Sequence, residues 1–240
     1  MTPLRFGVDS GAPVDTGRIG IIDRWAGVKP GWWGRYLGNG GGAATPLSES
    51  EAALLHAQGI AIAVVFNDVD QHLLATRAQG LAAASLACQQ AKALHVPAQT
   101  TLYADIEHDW PLTAPWLLGW AQGVLSGGFT PGAYLGPADI DVQKTLGYLH
   151  IVKPTLASLR LKEPALAGQI RLWDALWLHG GEWTAFRNGR ISLPPWVHLP
   201  PSETTMQTGI WQFSGAACSG MVDLDLLDDS ATPAPNLWLA

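Results

Sequence analysis

The chain has 240 residues, 48% of them hydrophobic and 14% charged, with a formal net charge of −6 and a pI of about 5.5. That composition is too apolar for a disordered chain and suffices for one domain, residues 1–240, with a substantial core. The 14 Lys and Arg are scattered without a run, so no basic stripe invites nucleic acid.

In chain order, Phe6-Gly7-Val8-Asp9-Ser10 reads as a first strand and Trp32–Leu37 as a second, ended by the glycine-rich connection 38–42. Ser48, with Glu51 three residues on, has the pattern of a capping box and opens a helix that Gly59 stops. Ile60–Phe66 is an apolar run, as expected of a strand buried on both faces. Residues 71–95 are Ala- and Leu-rich and helical, and Thr100–Glu107 forms the fourth strand. A helix over Trp116–Leu125, a strand over Pro131–Leu135 and a helical stretch 139–161 broken at Pro154 follow. Ile170–Leu178 is the sixth strand, 180–208 a long loop, and Ile210–Phe213 and Met221–Leu226 the last strands. The Pro-containing tail after Asp229 is expected to run over the surface. Strands alternating with helices imply βα units and a parallel sheet. Seven or eight strands in this length predict an α/β fold of TIM type, a β/α barrel with room for irregularity. A doubly wound open sheet is the alternative, but no glycine loop has nucleotide-site spacing.

Cys88 and Cys218 are far apart, lack a CxxC partner and read as small hydrophobes rather than zinc ligands. No metal and no cofactor is expected. The opening Met1–Phe6 has no signal-peptide pattern and no apolar run is long enough to span a bilayer. The expectation is a soluble protein, cytoplasmic as made. The 12 Trp suit a core, and they also suit a sugar-binding mouth, where an indole stacks on a pyranose.

Acids gather where the apolar strands end: Asp9, Asp68, Asp105 with Glu107, Asp174, and Asp223 with Asp225. The C-terminal strand ends are where a β/α barrel carries its catalytic groups. Asp105 and Glu107 are two apart, so on a strand they share a side with Cα atoms about 6.6 Å apart. The first to ionise raises the pKa of the second, and burial adds to that. A carboxyl protonated near neutral pH is what a general acid for glycosidic cleavage requires. Each acid also has a plain structural reading as a helix cap or an Arg partner. That reading is weakest for the 105/107 pair, because an apolar strand gains nothing from two acids on one face.

These residues resemble a family. Gly7-Val8-Asp9-Ser10, Tyr103-Ala104-Asp105-Ile106-Glu107, and Trp211-Gln212 followed by Val222-Asp223-Leu224-Asp225 resemble motifs of the family 25 glycoside hydrolases, the muramidase-type lysozymes. Gly34-Arg35-Tyr36-Leu37, followed by Ile62–Phe66, is closer to a sister group, glycoside-hydrolase-like domains once classed as a domain of unknown function. The resemblance implies a β/α barrel and, in active members, cleavage of β-1,4 glycans such as peptidoglycan. It makes Glu107 the general acid/base, Asp105 its assistant, acting on a substrate acetamido group, and Asp9 a third catalytic acid. It places Asp225, Asp174, Arg35, Tyr36, Trp211 and Asp68 around the substrate. The chain departs from the pattern at Phe66-Asn67-Asp68, where an aromatic is usual, and in the loop 180–208. Three functions compete: a glycosidase on cell-wall glycan, a carbohydrate-binding module that does not catalyse, and a metal-dependent hydrolase on the Asp and His residues. A cell-wall hydrolase made without a leader needs a holin or a secretion system to reach its glycan. The sequence carries no signal for oligomeric state.

Overall fold

A computed structural model describes residues 4–107, 110–135, 153–175, 208–229, 231 and 234–239. The expected helical stretch up to residue 152 and almost all of the 180–208 loop lie outside these residues.

Eight strands close into a barrel in sequence order. They are β1 (Arg5–Asp9), β2 (Trp32–Tyr36), β3 (Ala61–Phe66), β4 (Thr101–Ile106), β5 (Thr130–Leu135), β6 (Arg171–Ala175), β7 (Thr208–Ala216) and β8 (Val222–Leu227). Around them run α1 (Thr16–Ala26), α2 (Glu49–Ala57), α3 (Arg77–Ala93), α4 (Ala114–Ser126), α5 (Lys153–Lys162) and α6 (Pro164–Ala167). The TIM-type architecture expected from the sequence is therefore present, with one departure. β1 to β7 pair parallel, but β8 is antiparallel to both β7 and β1. β8 follows β7 by a short turn with left-handed residues Ala216, Cys218, Ser219 and Gly220, too short for a crossover helix to reverse the chain.

Side chains alternate across each strand, which divides the core in two. Trp32, Ala63, Val65, Tyr103, Trp173, Ile210 and Leu227 form one cluster and fill the barrel. Val8, Trp33, Ile62, Val64, Phe66, Leu102, Ala104, Ile106, Leu172, Trp211 and Leu224 belong to the larger cluster between strands and helices. The continuous run in β3 is buried at all positions because it serves both layers. Trp173 sits near the axis, with T-shaped contacts to Trp32, Tyr103 and Tyr134 at ring separations of 5.5, 5.4 and 5.6 Å.

Several local expectations are corrected. α1 escapes the sequence reading although its signals are regular: the Asp15 side chain accepts from Arg18 N, Gly27 closes the helix at φ 70°, and Ile19, Ile22 and Ala26 are buried. Ser48 caps α2, accepting from Glu51 N at 3.2 Å, but the Glu51 carboxylate turns inward to Arg35 instead of completing the box. The full capping box is at Thr76 and Gln79 in α3. Pro154 is the second residue of α5, and the stretch 139–152 that precedes it lies outside the described residues. The tail is expected to run over the surface, but among its described residues Ala231, Pro235, Leu237 and Trp238 are buried. β3 and β4 pair only from Val64 and Leu102 upward, and residues 236–238 fill the gap beneath them. Ile62 and Trp238 exchange N–H···O bonds of 2.9 Å, and Thr101 N donates to Asn236 O at 2.7 Å. Leu237 thereby joins the cluster inside the barrel.

Candidate active site

The upper end of the barrel interior is acidic. Asp9 ends β1 and faces the axis, as does Tyr36 at the end of β2, whose hydroxyl donates to Asp9 Oδ1 at 3.2 Å. Asp105 follows Tyr103 by two residues on β4 and so shares its inward side, with Glu107 just beyond the strand. On β8, Asp223 and Asp225 face in, opposite Asp9 and Gly7 respectively. The Trp173 indole donates to Asp225 Oδ1 at 3.0 Å from below. A glycine makes this layering possible: a Cβ at Gly34 would lie 2.6 Å from Asp9 Cβ and 2.7 Å from the Trp173 ring.

Burial governs the charges. Asp105 is held well above the usual carboxylate range, chiefly by burial and then by the Glu107 and Asp9 charges. Asp225 is likewise well above it, through burial and the adjoining Asp9. Burial pushes Asp223 up to about 7, with Asp9 and Glu107 adding to it against the Ala216 N–H bond. Asp9 is raised by burial, while hydrogen bonds from Gln212, Asp225 and Tyr36 and the charge of Arg35 pull it back. Burial and the surrounding acids also hold Tyr36 and Tyr134 neutral, so both are hydrogen-bond donors. The cluster thus stores protons at pH values where isolated carboxyls have lost them, the condition for delivering one to a bound oxygen.

Of the residues singled out from sequence, Asp9, Tyr36, Asp105, Glu107 and Asp225 come together at this mouth. The other four do not. Arg35 points outward between Tyr36 and Gly34 and is fully buried: Nε meets Glu51 Oε1 at 2.6 Å, Nη1 donates to Ser10 O and Nη2 to Thr45 O. It ties the β1 and β2 loops to α2. Asp174 and Trp211 pair with each other across β6 and β7 on the outer side, since their neighbours Trp173 and Ile210 face in. Asp68 braces the glycine-rich loop, accepting from Gly40 N at 3.0 Å and Gln90 Nε2 at 2.9 Å. The sequence reading passed over Gln212, Tyr134 and Trp173, and left Asp223 out of the site. The available signal was parity: Gln212 is two from inward Ile210, and Asp223 two from Asp225.

Among the described residues no three His, Cys, Asp or Glu side chains are placed to hold a metal ion. Cys88 is a buried thiol and Cys218 a half-buried one. No described helix is long and apolar enough to cross a membrane.

A closed β/α barrel with acids at its C-terminal mouth and an antiparallel last strand defines a glycoside-hydrolase-like barrel. The chain belongs to the Rv2525c-like, glycoside hydrolase-like domain family, whose sequence model matches residues 25–221. Solved structures share the fold. An uncharacterized protein of B. stearothermophilus matches at 23% identity and TM-score 0.77, covering 93% of this chain and 96% of that one. The Tat-secreted protein Rv2525c of Mycobacterium tuberculosis, in complex with L-tartrate, matches at 15% identity and TM-score 0.58 over 98% and 100%. The bacterial lysozyme of Streptomyces coelicolor matches at 13% and 0.52 over 97% and 96%. The comparison with curated proteins finds no match.

Proposed function

We propose that the protein hydrolyses β-1,4 glycosidic bonds of peptidoglycan or a related glycan, with Glu107 as general acid/base. The observation that carries this is the convergence of Asp9, Asp105, Glu107, Asp223 and Asp225 on one barrel mouth. The charge of Glu107 acts on Asp105, on Asp223 and on Tyr134. Burial, and then the Glu107 charge, hold Asp105 well above the ordinary carboxylate range. Glu107, past the strand end, is the donor to the glycosidic oxygen in this reading. Asp105, deeper, steadies a substrate acetamido group, and ionised Asp9 opposes the positive charge that develops on the sugar. The modular autolysin LytC of Streptococcus pneumoniae, solved with a synthetic peptidoglycan ligand, has a similar fold at 15% identity and TM-score 0.54, which favours this glycan class. In this reading a holin or secretion system brings the protein to the wall.

Glu107→Gln keeps the shape and removes the titrating proton. Release of reducing ends from purified peptidoglycan is expected to fall at least about a hundredfold, with the melting temperature unchanged. Equal activity in the variant sinks the proposal. Neutral carboxyls and phenols also suit sugar hydroxyls, which favours a second reading as a glycan-binding module. Saturable glycan binding with no reducing ends released by the unmodified protein would select it.

A further inference from the structure

One uncharged side chain lies within the acid cluster and touches two of its carboxyls. Gln212 Nε2 donates to Asp9 Oδ2 at 2.8 Å and reaches Asp223 Oδ2 at 3.4 Å. Its other end, Oε1, accepts the Tyr134 hydroxyl at 2.9 Å. These contacts settle the amide orientation. With the amide reversed, Oε1 would face Asp9 Oδ2 at that same separation, acceptor against acceptor, and the Tyr134 phenol would lose its acceptor. Tyr134 is kept neutral and must donate, so the direction of the chain is Tyr134 to Gln212 to Asp9.

Asp9 thereby receives more donors than its neighbours. Tyr36 adds a bond at 3.2 Å, and Asp225, the protonated member of a carboxyl pair, adds another. Among the described residues Asp225 accepts only the Trp173 indole, and Asp223 only Ala216 N and the long Gln212 contact. Among the described residues the groups facing Asp9 are Tyr36 from β2, Asp105 from β4, Tyr134 from β5 through Gln212, Gln212 from β7, and Asp223 and Asp225 from β8, with Arg35 behind the wall. Hydrogen bonds to a charged group are worth more than neutral ones, so the carboxyl with most donors ionises first.

We propose that Gln212, oriented by Tyr134, is a positioning residue that makes Asp9 the preferred seat of negative charge among the four aspartates. The charge on Asp9 then keeps protons on its neighbours, which agrees with Asp9 acting on Asp105, Asp223 and Asp225 alike. The inference rests on the glycosidase reading for its catalytic meaning, in which Asp9 is the anion beside the reacting sugar.

The test follows the Asp9 carboxyl carbon by NMR across pH in the full chain, assigned by its loss in Asp9→Asn. In Gln212→Leu the Asp9 midpoint is expected to rise by about one pH unit, the consequence of losing one charge-assisted bond. Tyr134→Phe, which removes a single oxygen, moves it the same way by less and covers the case in which Gln212→Leu does not fold. On glycan, kcat falls about tenfold with KM nearly constant, and the acid limb of the pH profile moves up with the Asp9 midpoint. A residue of merely structural importance would lower the melting temperature and leave both midpoint and limb in place. An unmoved Asp9 midpoint in the folded variants overturns the assignment. If the unmodified protein releases no sugar, the glycosidase reading fails, and the Asp9 titration still decides the role of Gln212.

Discussion

Asp9 and Asp223 lie directly opposite each other on antiparallel strands, an arrangement of like charges that no sheet adopts for stability. The cost appears as pH dependence. Asp223 holds its proton up to about pH 7 in the folded chain and releases it near pH 4 when unfolded. Between those values the folded state binds more protons, so this group's contribution is fully present below about pH 4 and is lost as pH rises through about 7. Raised Asp105 and Asp225 act in the same direction. Melting temperature is expected to fall steadily as pH rises from the acid side to 8, and Asp223→Asn should fall less steeply and exceed the unmodified protein at pH 8. A steeper fall in the variant would contradict the assigned shift. Arg35 shows the other use of charge in this molecule. Its ion pair with Glu51 is sealed on the outer side of the strands, where it fixes the loops that follow Asp9 and Tyr36. The Gly-Arg-Tyr-Leu signature thus divides by residue, Tyr36 into the site and Arg35 into the frame.

At the scale of elements, α3 leads into β4 with Asp105 and Glu107, and α4 leads into β5 with Tyr134. How closely the two helices approach therefore sets two walls of the site. Glycines allow that approach: a Cβ at Gly80 would lie 2.0 Å from Trp116 O, and one at Gly119 2.1 Å from Arg77 O. In sequence these glycines read as weak points, since alanine is better in a helix by about 1 kcal/mol. Backbone cannot yield to a methyl group at such distances, so packing overrides propensity. Gly119→Ala is expected to destabilise by about 1–3 kcal/mol in urea unfolding. A more stable variant would mean the helices are not in contact there. The element reading of the sequence succeeded where one run had one cause, as in β3, and in α2, where Ser48 caps. It missed α1, whose buried face is three residues in eleven.

The two ends of the barrel differ among the described residues. The mouth is lined by acids, and the tail seals the opposite end by pairing with the start of β3 and covering β4. Trp238 is 9% exposed and packs edge-on against His56 at 5.0 Å. Trp238→Ala should cost about 3–5 kcal/mol in urea unfolding, and any glycan cleavage should persist below the transition, because the seal is at the far end from the acids. Stability equal to the unmodified chain would show that the tail does not close the barrel.

The sequence by itself determined the alternation of strands and helices, the placing of Asp105 and Glu107 on one side of a strand, and membership in a glycoside-hydrolase-like group. These depend on local periodicity and on motifs contiguous in the chain. Only the tertiary structure decided which side of each strand faces the axis. Alternation says that Trp173 and Asp174 point opposite ways, as do Trp211 and Gln212, but closure of the barrel chooses between them. Closure put Trp173 and Gln212 inside with Asp223, and left Asp174, Trp211 and Arg35 outside. It also brought the tail under β3 and β4, because backbone groups left unpaired at the strand starts need partners that no local pattern records.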